Sequence, residues 1–428
     1  VGFFIYRHSL LTCPRLQLHD AQKNIREKTM AEAQLQAGED APAVLYLQKI
    51  LEQAAHMLAS DVHVEPYEHQ LRIRVRVDGV LREIDTPPLP LKERLASRIK
   101  VLSRLDIAEK RLPQDGRMKL SLPSGHELDL RVSTLPTLHG EKLVLRLLDN
   151  HHAMQPLDSL GYEPEQLQWL LEAIARPEGL VLVTGPTGAG KTQSLYACLH
   201  QLNREGVNIS TVEDPCEIPM PGINQVNVQD KPGLDFATVL RAFLRQDPDI
   251  LMVGEIRDLE TANIAIQASQ TGHLVLSTLH TNDAPSTLAR LMNMGVASYN
   301  VAASVKLVTA QRLVRKLCPA CREPALWTAQ EWQQIGGQSQ AQTVTGYQAH
   351  TQGCPQCHQG YRGRTGIFEV MPVHGALRDL LLTQAPASAL AQQARQDGVL
   401  SLRQAGLLKV MRGITSLQEV MSSTQELT

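Results

Sequence analysis

The chain has 428 residues, enough for roughly two to four domains with a sizeable core. With 43% hydrophobic and 20% charged residues it has an ordinary globular composition, which excludes a disordered or low-complexity chain. A net charge of -2 excludes coating of nucleic acid by overall charge and leaves only a local basic patch as a route to it.

No apolar run reaches the ~18 residues of a membrane-spanning helix. The opening VGFFIYRHSLLTC is broken by Arg7 and His8 and lacks the basic start and small-residue cleavage site of a secretory signal, so a cytoplasmic location is expected. The first residue is Val, which implies an unusual start or a missing upstream piece. Residues 1–42 are polar and irregular and read as a tail or linker.

Residues 43–150 read as a small α+β domain. VLYLQKILEQAAHMLAS has helical periodicity. In LRIRVRVDGVLREI, Leu71, Ile73, Val75 and Val77 alternate with Arg72, Arg74, Arg76 and Asp78, the pattern of a half-buried strand. Asp78-Gly79 supplies the two-residue turn that a type I′ hairpin prefers. ELDLRVS alternates likewise, with Asp129 and Arg131 on its polar face. Residues 151–160 read as a linker. From 161 to 315, the short apolar runs GLVLV, ILMV and HLVLST alternate with helical stretches, as buried parallel strands of an α/β domain do. Residues 316–371 carry two cysteine pairs around GGQSQAQTVTG, which reads as a polar loop, and residues 372–428 are helical.

The α/β segment carries the chemistry. Gly185, Pro186, Thr187, Gly188, Ala189, Gly190, Lys191 and Thr192 match G-x-x-x-x-G-K-[ST] between a strand and the helix KTQSLYACLHQL. Glycines let backbone N–H groups close around phosphate oxygens, and the helix N-terminus adds positive potential. Lys191 is expected on the β/γ-phosphates of ATP and Thr192 on Mg²⁺. STVEDPCE places Glu213 and Asp214 at a strand end, where a carboxylate can orient or deprotonate water. The strand Ile250–Val253 ends at Gly254-Glu255, with Gly254 where an Asp would ordinarily serve Mg²⁺. Arg241 and Arg245 stand four apart on the preceding helix, a spacing that also suits a solvated face. TGHLVLSTLHTND ends another strand near His280, which could sense a γ-phosphate.

Cys318 and Cys321 in KLCPACRE, with Cys354 and Cys357 in QGCPQCHQG, can supply four thiolates for a closed structural Zn²⁺ site. Their separation exceeds a short ribbon's and implies an inserted loop. Cys13, Cys198 and Cys216 read as ordinary residues.

The order GPTGAGKT, TVEDPCE, GEIRD and TGHLVLSTLHTND resembles the Walker A, Asp box, atypical Walker B and His box of the secretion ATPases, the motors of type II secretion and type IV pilus assembly. The resemblance spans about residues 43–425. It implies a RecA-like P-loop ATPase domain with a parallel central sheet. A smaller PAS-like α+β domain would precede it, and a zinc-binding module and helical tail would follow. It also implies a homo-hexamer in which the α+β domain packs on the next subunit. Arginines of that domain would reach the neighbour's nucleotide: Arg117 in PQDGR, Arg131 in LRVST and, less closely matched, Arg111. Arg241 and Arg245 match family arginines near the phosphates. Glu213 is implied as the catalytic carboxylate and Glu255 as the Walker B carboxylate, with the general base left open between them. Asp214 would support the site, and His273 and His280 match the His box. The cysteine module and the tail GVLSLRQAGLLKVMRGITSLQEVMSST match the assembly and secretion branch rather than retraction motors. Ala189 and Gln193 depart from the family's Ser and Thr, and only about 42 residues precede the matching region, where a further membrane-docking domain is usual. The implied function is ATP-driven work on an inner-membrane platform protein from the cytoplasmic face. Hexameric P-loop rings also translocate DNA, but no basic, aromatic-interleaved stretch supports strand binding, and no nucleic acid is expected. A nucleotide-dependent scaffold without turnover is the remaining alternative.

Overall fold

The computed structural model describes residues 42–122, 127–148, 155–229, 231, 233–337 and 341–424. The expected N-terminal tail and part of the expected 151–160 linker lie outside the described residues. The chain divides into two compact units, one up to Leu148 and one from Asp149.

The first unit begins with helix α1 (42–56), then β1 (Asp61–Pro66), β2 (Leu71–Val77), β3 (Val80–Asp85), α2 (Leu91–Leu102), β4 (Gln114–Ser121), β5 (Glu127–Thr137) and β6 (Gly140–Leu148). The strands form one antiparallel sheet in the order β3-β2-β1-β6-β5-β4. The β2–β3 turn has the sequence-expected form: Asp78 and Gly79 take φ of 51° and 85°, and positive φ at both central positions suits the strand twist. Alternation works as predicted on one face, where Ile73, Val75, Val132 and Leu145 pack with Ile50 and Leu51 of α1 and Leu95 and Ile99 of α2. The other face is a charge-paired layer rather than a solvated one. Glu65, 3% exposed, takes Arg72 at 3.1 Å, Arg74 at 2.8 Å and Lys142 at 3.1 Å. Asp61 takes Arg146 at 2.9 Å and Arg76 at 3.8 Å. Register sets Arg117 opposite Arg131, and Arg131 opposite Arg146.

The second unit opens with α3 (Pro164–Ile174), β7 (Gly179–Thr184), α4 (Lys191–Leu202), β8 (Ile209–Glu213), β9 (Asn224–Asn227), α5 (Phe236–Phe243), β10 (Ile250–Val253), α6 (Leu259–Gln270), β11 (Leu274–Leu279), α7 (Ala284–Asn293) and α8 (Ser298–Ser304). It continues with β12 (Val305–Leu317), β13 (Glu323–Thr328), α9 (Ala329–Gln334), β14 (Thr343–Gln348), β15 (Tyr361–Pro372), α10 (Gly375–Leu382), α11 (Ala387–Gln396), α12 (Leu402–Met411) and α13 (Leu417–Ser423). The main sheet runs β15-β12-β7-β11-β10-β8-β9, parallel except for β15 at its edge. Its central strands are apolar throughout because both faces are covered. Leu182, Leu251 and Val275 face α5–α8, whereas Val183, Met252 and Leu276 face α3 and α4.

The cysteine region is an excursion between two strands of this sheet, and the expected boundaries after 315 and 371 fall inside β12 and β15. GGQSQAQTVTG, expected as a loop, holds the start of β14, which pairs with β13. Thr343-Val344-Thr345 is a β-prone stretch that the surrounding Gly, Gln and Ser concealed. Trp332 of α9, 1% exposed, packs with Val344, Leu407, Val410 and Val420, which fastens the excursion to α12 and α13. No described helix is long and apolar enough to cross a membrane.

Candidate nucleotide site and cysteine cluster

The glycine loop joins the end of β7 to the start of α4. Gly190 is the N-terminal boundary of α4 in a left-handed conformation, φ 87°, which glycine adopts without steric cost. Gly185 has no room for a side chain: a Cβ there would stand 2.6 Å from the Gln311 carbonyl. Lys191 curls over the loop and donates to the carbonyls of Gly185 at 2.8 Å and Pro186 at 3.3 Å. Burial pushes its pKa down, the Glu255 carboxylate opposes that, and Arg312 reinforces it. Thr192, in the first turn of α4, is exposed and free to meet a cation.

Three neighbouring strand ends bring further groups to Lys191. His280 follows β11, and its Nδ1 lies 3.5 Å from Lys191 Nζ. Its Nε2 lies 3.4 Å from Glu255, which follows β10. Glu255 also binds Arg257, and Arg257 reaches Asp214 past β8 at 3.2 Å. Burial drives the Glu255 pKa upward, but the Arg257 hydrogen bond and the charges of Arg257, His280 and Lys191 together hold it below the usual carboxylate range. Gly254 lies against β8, where a Cβ would come within 3.3 Å of the Val212 carbonyl, so an Asp at this position would crowd that strand. Buried hydroxyls lock the strand ends: Thr278 donates to the Gly254 carbonyl at 2.7 Å and Thr184 to the Leu279 carbonyl at 2.9 Å.

Glu213 is placed differently. It is 4% exposed, and its carboxylate accepts from Tyr196, from Thr211 at 2.7 Å and from Gln225 at 3.2 Å. Burial and this carboxylate push the Tyr196 pKa well up. Arg241 pairs with Glu260 on α6, away from Lys191's contacts. Arg245 lies beyond the end of α5 and donates to the Arg241 carbonyl at 2.8 Å, so the two do not share a helix face. His273 sits at the opposite end of β11 from His280 and contacts the Ala268 carbonyl at 3.1 Å. In the first unit, Arg117 is exposed on β4, Arg131 half-buried on β5, and Arg111 exposed and paired with Glu109 at 2.7 Å.

Arg257, in GEIRD two residues past Glu255, joins the site beyond the residues expected from sequence, and that short spacing is the signal for it. Tyr196 and Gln311 carried none, because neither stands in a motif and their partners are set by the tertiary fold.

Among the described residues, Cys318, Cys321, Cys354 and Cys357 bring four Sγ atoms within 4.8 Å of one another. Cys318 and Cys354 are 3.8 Å apart, and Cys321 and Cys357 3.6 Å. A tetrahedron with Zn–S of ~2.3 Å has edges of about 3.8 Å, so the donor set fits Zn²⁺. Cys318 directly follows β12, and the second pair precedes β15. The Cys318 carbonyl accepts from Arg322 N–H at 3.0 Å, and Cys357 Sγ accepts from Cys354 N–H at 3.2 Å, turns that aim each pair at a common centre.

A doubly covered sheet with a glycine loop at one strand end, and with lysine, histidine and carboxylates at neighbouring ends, defines a P-loop ATPase. The chain belongs to the Type II/IV secretion system protein family, whose model matches residues 36–422. It is 54% identical over 389 residues to the type IV pilus assembly ATPase PilB of Acinetobacter baylyi, covering 91% of this chain and 67% of that protein. It is 48% identical to the type II secretion system ATPase E of Vibrio cholerae, covering 92% and 77%. The fold is similar to that of the Legionella pneumophila ATPase DotB, with a TM-score of 0.66, 21% identity and coverage of 88% and 95%.

Proposed function

We propose that the chain is a hexameric motor ATPase that works at the cytoplasmic face of the inner membrane and drives a platform protein of a pilus or secretion machine. The observation that carries this reading is the convergence of Lys191, His280, Glu255 and Arg257 at neighbouring ends of one sheet. In this reading the loop from Gly185 to Gly190 and Lys191 hold ATP, and Thr192 holds Mg²⁺. Glu255, ionised and facing Lys191, is the better-placed carboxylate to serve the metal and the attacking water. Glu213, held by three donors, supports the site from β8. Arg117 and Arg131 act on the neighbouring subunit's nucleotide, Arg241 and Arg245 serve the phosphates as the family resemblance implies, and the four cysteines hold Zn²⁺. Greater identity to the pilus assembly relative than to the type II secretion relative, 54% against 48%, favours pilus assembly.

The test is phosphate release with oligomer size followed in parallel. Wild type should turn over as a hexamer. Glu255→Gln should bind ATP and assemble but lose about 10²–10⁴ in rate, the usual contribution of a positioned acid or base. A purified, metal-loaded hexamer without turnover would overturn the motor reading in favour of a scaffold.

A further inference from the structure

Gln311 stands on β12, one residue past the point where Ala310 pairs with Thr184 at the end of β7. It is 2% exposed, and both ends of its amide are used. Its Nε2 donates to the Ala189 carbonyl at 2.7 Å, inside the glycine loop. Its Oε1 accepts from the Ser194 hydroxyl at 2.8 Å, in the first turn of α4. Its own backbone carbonyl lies against Gly185, where a Cβ would approach to 2.6 Å. One residue on, Arg312 donates to the Asn282 carbonyl at 2.9 Å, in the loop that carries His280.

A phosphate loop binds through the directions of its backbone N–H groups, and those directions are set by what holds the peptide planes. The Ala189 carbonyl belongs to the same peptide plane as the Gly190 N–H, at the mouth of α4. Fixing that carbonyl from behind therefore fixes the direction of the Gly190 N–H, which in the phosphate-site reading serves the nucleotide. Ser194 lies one turn along the same helix, so the single amide locks the loop and the helix start in one relative position. A buried amide with both ends satisfied holds its orientation, because rotating it would strand two polar groups away from water.

We infer that Gln311 is a positioning residue for nucleotide binding, acting through the Ala189–Gly190 peptide and Ser194 and not by touching the nucleotide. The inference rests on the phosphate-site reading above. Its sign is specific: the amide orders the loop in the nucleotide-bound ground state and the transition state alike, so its loss weakens binding and leaves the chemical step nearly unchanged.

The test uses the full chain, with equilibrium titration of a fluorescent ATP analogue beside steady-state hydrolysis. Gln311→Glu keeps size and shape and the acceptor for Ser194, but turns an oxygen toward the Ala189 carbonyl. It should raise Kd and KM about tenfold, the effect of one buried hydrogen bond left unmade. The kcat should stay within about twofold, whereas the thermal midpoint of the nucleotide-free protein should fall by a few degrees, because the same buried hydrogen bond is lost there. Ser194→Ala, a smaller change that leaves Gln311 in place, should shift Kd in the same direction by less. Unchanged Kd in folded Gln311→Glu, or a fall in kcat with Kd intact, overturns the inference. If Gln311→Glu does not fold, unchanged Kd in Ser194→Ala overturns it. Wild type that fails to bind ATP overturns the phosphate-site reading itself, an outcome distinct from wild type and variants binding equally.

Discussion

Glu369 shows how far one buried group can tie the sheet to the helices around it. It sits on β15, 6% exposed, and accepts from the first N–H of α7 at 3.2 Å and the first N–H of α12 at 3.4 Å. Burial raises its pKa from 4.5 to about 7, the Asp283 charge adds to that, and the two N–H groups and Arg312 oppose it. A carboxyl whose folded pKa lies above its unfolded value stabilises the fold fully below the unfolded pKa, and that contribution is lost as pH rises through the folded one. Wild type should therefore lose stability from this group between about pH 4.5 and 7, by up to about 3 kcal/mol. Glu369→Gln should flatten the profile, so that the variant gains on wild type as pH rises. Parallel thermal-midpoint profiles from pH 5 to 8 would remove Glu369 from this role. At the same scale, the parts of the site that were legible in the sequence are those marked by a local pattern. Gly185 to Thr192 form a contiguous loop, and Glu255 and His280 each follow an apolar run. Arg245 was misplaced because nothing local marked the end of α5 at Phe243, and the amide of Gln311 depends on a carbonyl more than a hundred residues earlier.

Among elements, the antiparallel pair β12 and β15 sets where the cysteine cluster lies. The strands pair from Leu307 with Pro372 to Leu317 with Tyr361, and the four thiols close the far end. Leu317 N–H is also held by the Ile414 carbonyl at 2.9 Å, and Arg315 by Glu419 at 2.6 Å. A metal there would staple the ends of a long excursion whose Trp332 and Val344, among the described residues, share a small core with Leu407, Val410 and Val420 of α12 and α13. Purified protein should carry about one zinc per chain in this site. Cys354→Ser or strong chelation should lower the thermal midpoint and open the region around β13 and β14 to protease before the main sheet. Equal protease resistance with and without metal would argue against a structural site. The strands β7, β10 and β11 were readable because each is a short apolar run bounded by polar turns, whereas the long, mixed β12 and β15 and the polar β9 carry no such pattern. The β13–β14 pair was not readable either, since its strands are largely exposed and β14 starts inside the Gly-, Gln- and Ser-rich stretch that reads as a loop.

At the scale of the whole molecule, the two units carry complementary halves of the proposed chemistry. The second holds the phosphate loop and its carboxylates, and the first presents Arg117 and Arg131 in adjacent register. In a ring built from head-to-tail contacts each site draws on two chains. Lys191→Ala and Arg131→Ala proteins, each inactive alone, should then recover hydrolysis when mixed and reassembled. About a quarter of interfaces would pair an intact loop with an intact arginine. Mixing without recovery would place Arg131 in its own subunit's site or outside the chemistry. The charge-paired face of the first unit bears on how such a contact can be both firm and reversible. Asp61 and Glu65 spread two negative charges beneath Arg72, Arg74, Arg76, Lys142 and Arg146, five cations on a rigid antiparallel frame. That face keeps a surplus of positive charge with its side chains already ordered, so an arriving anionic surface has little conformational entropy left to remove. Were the proposed ring contact to use this face, it would engage fast, weaken with salt, and release without unfolding anything beneath it.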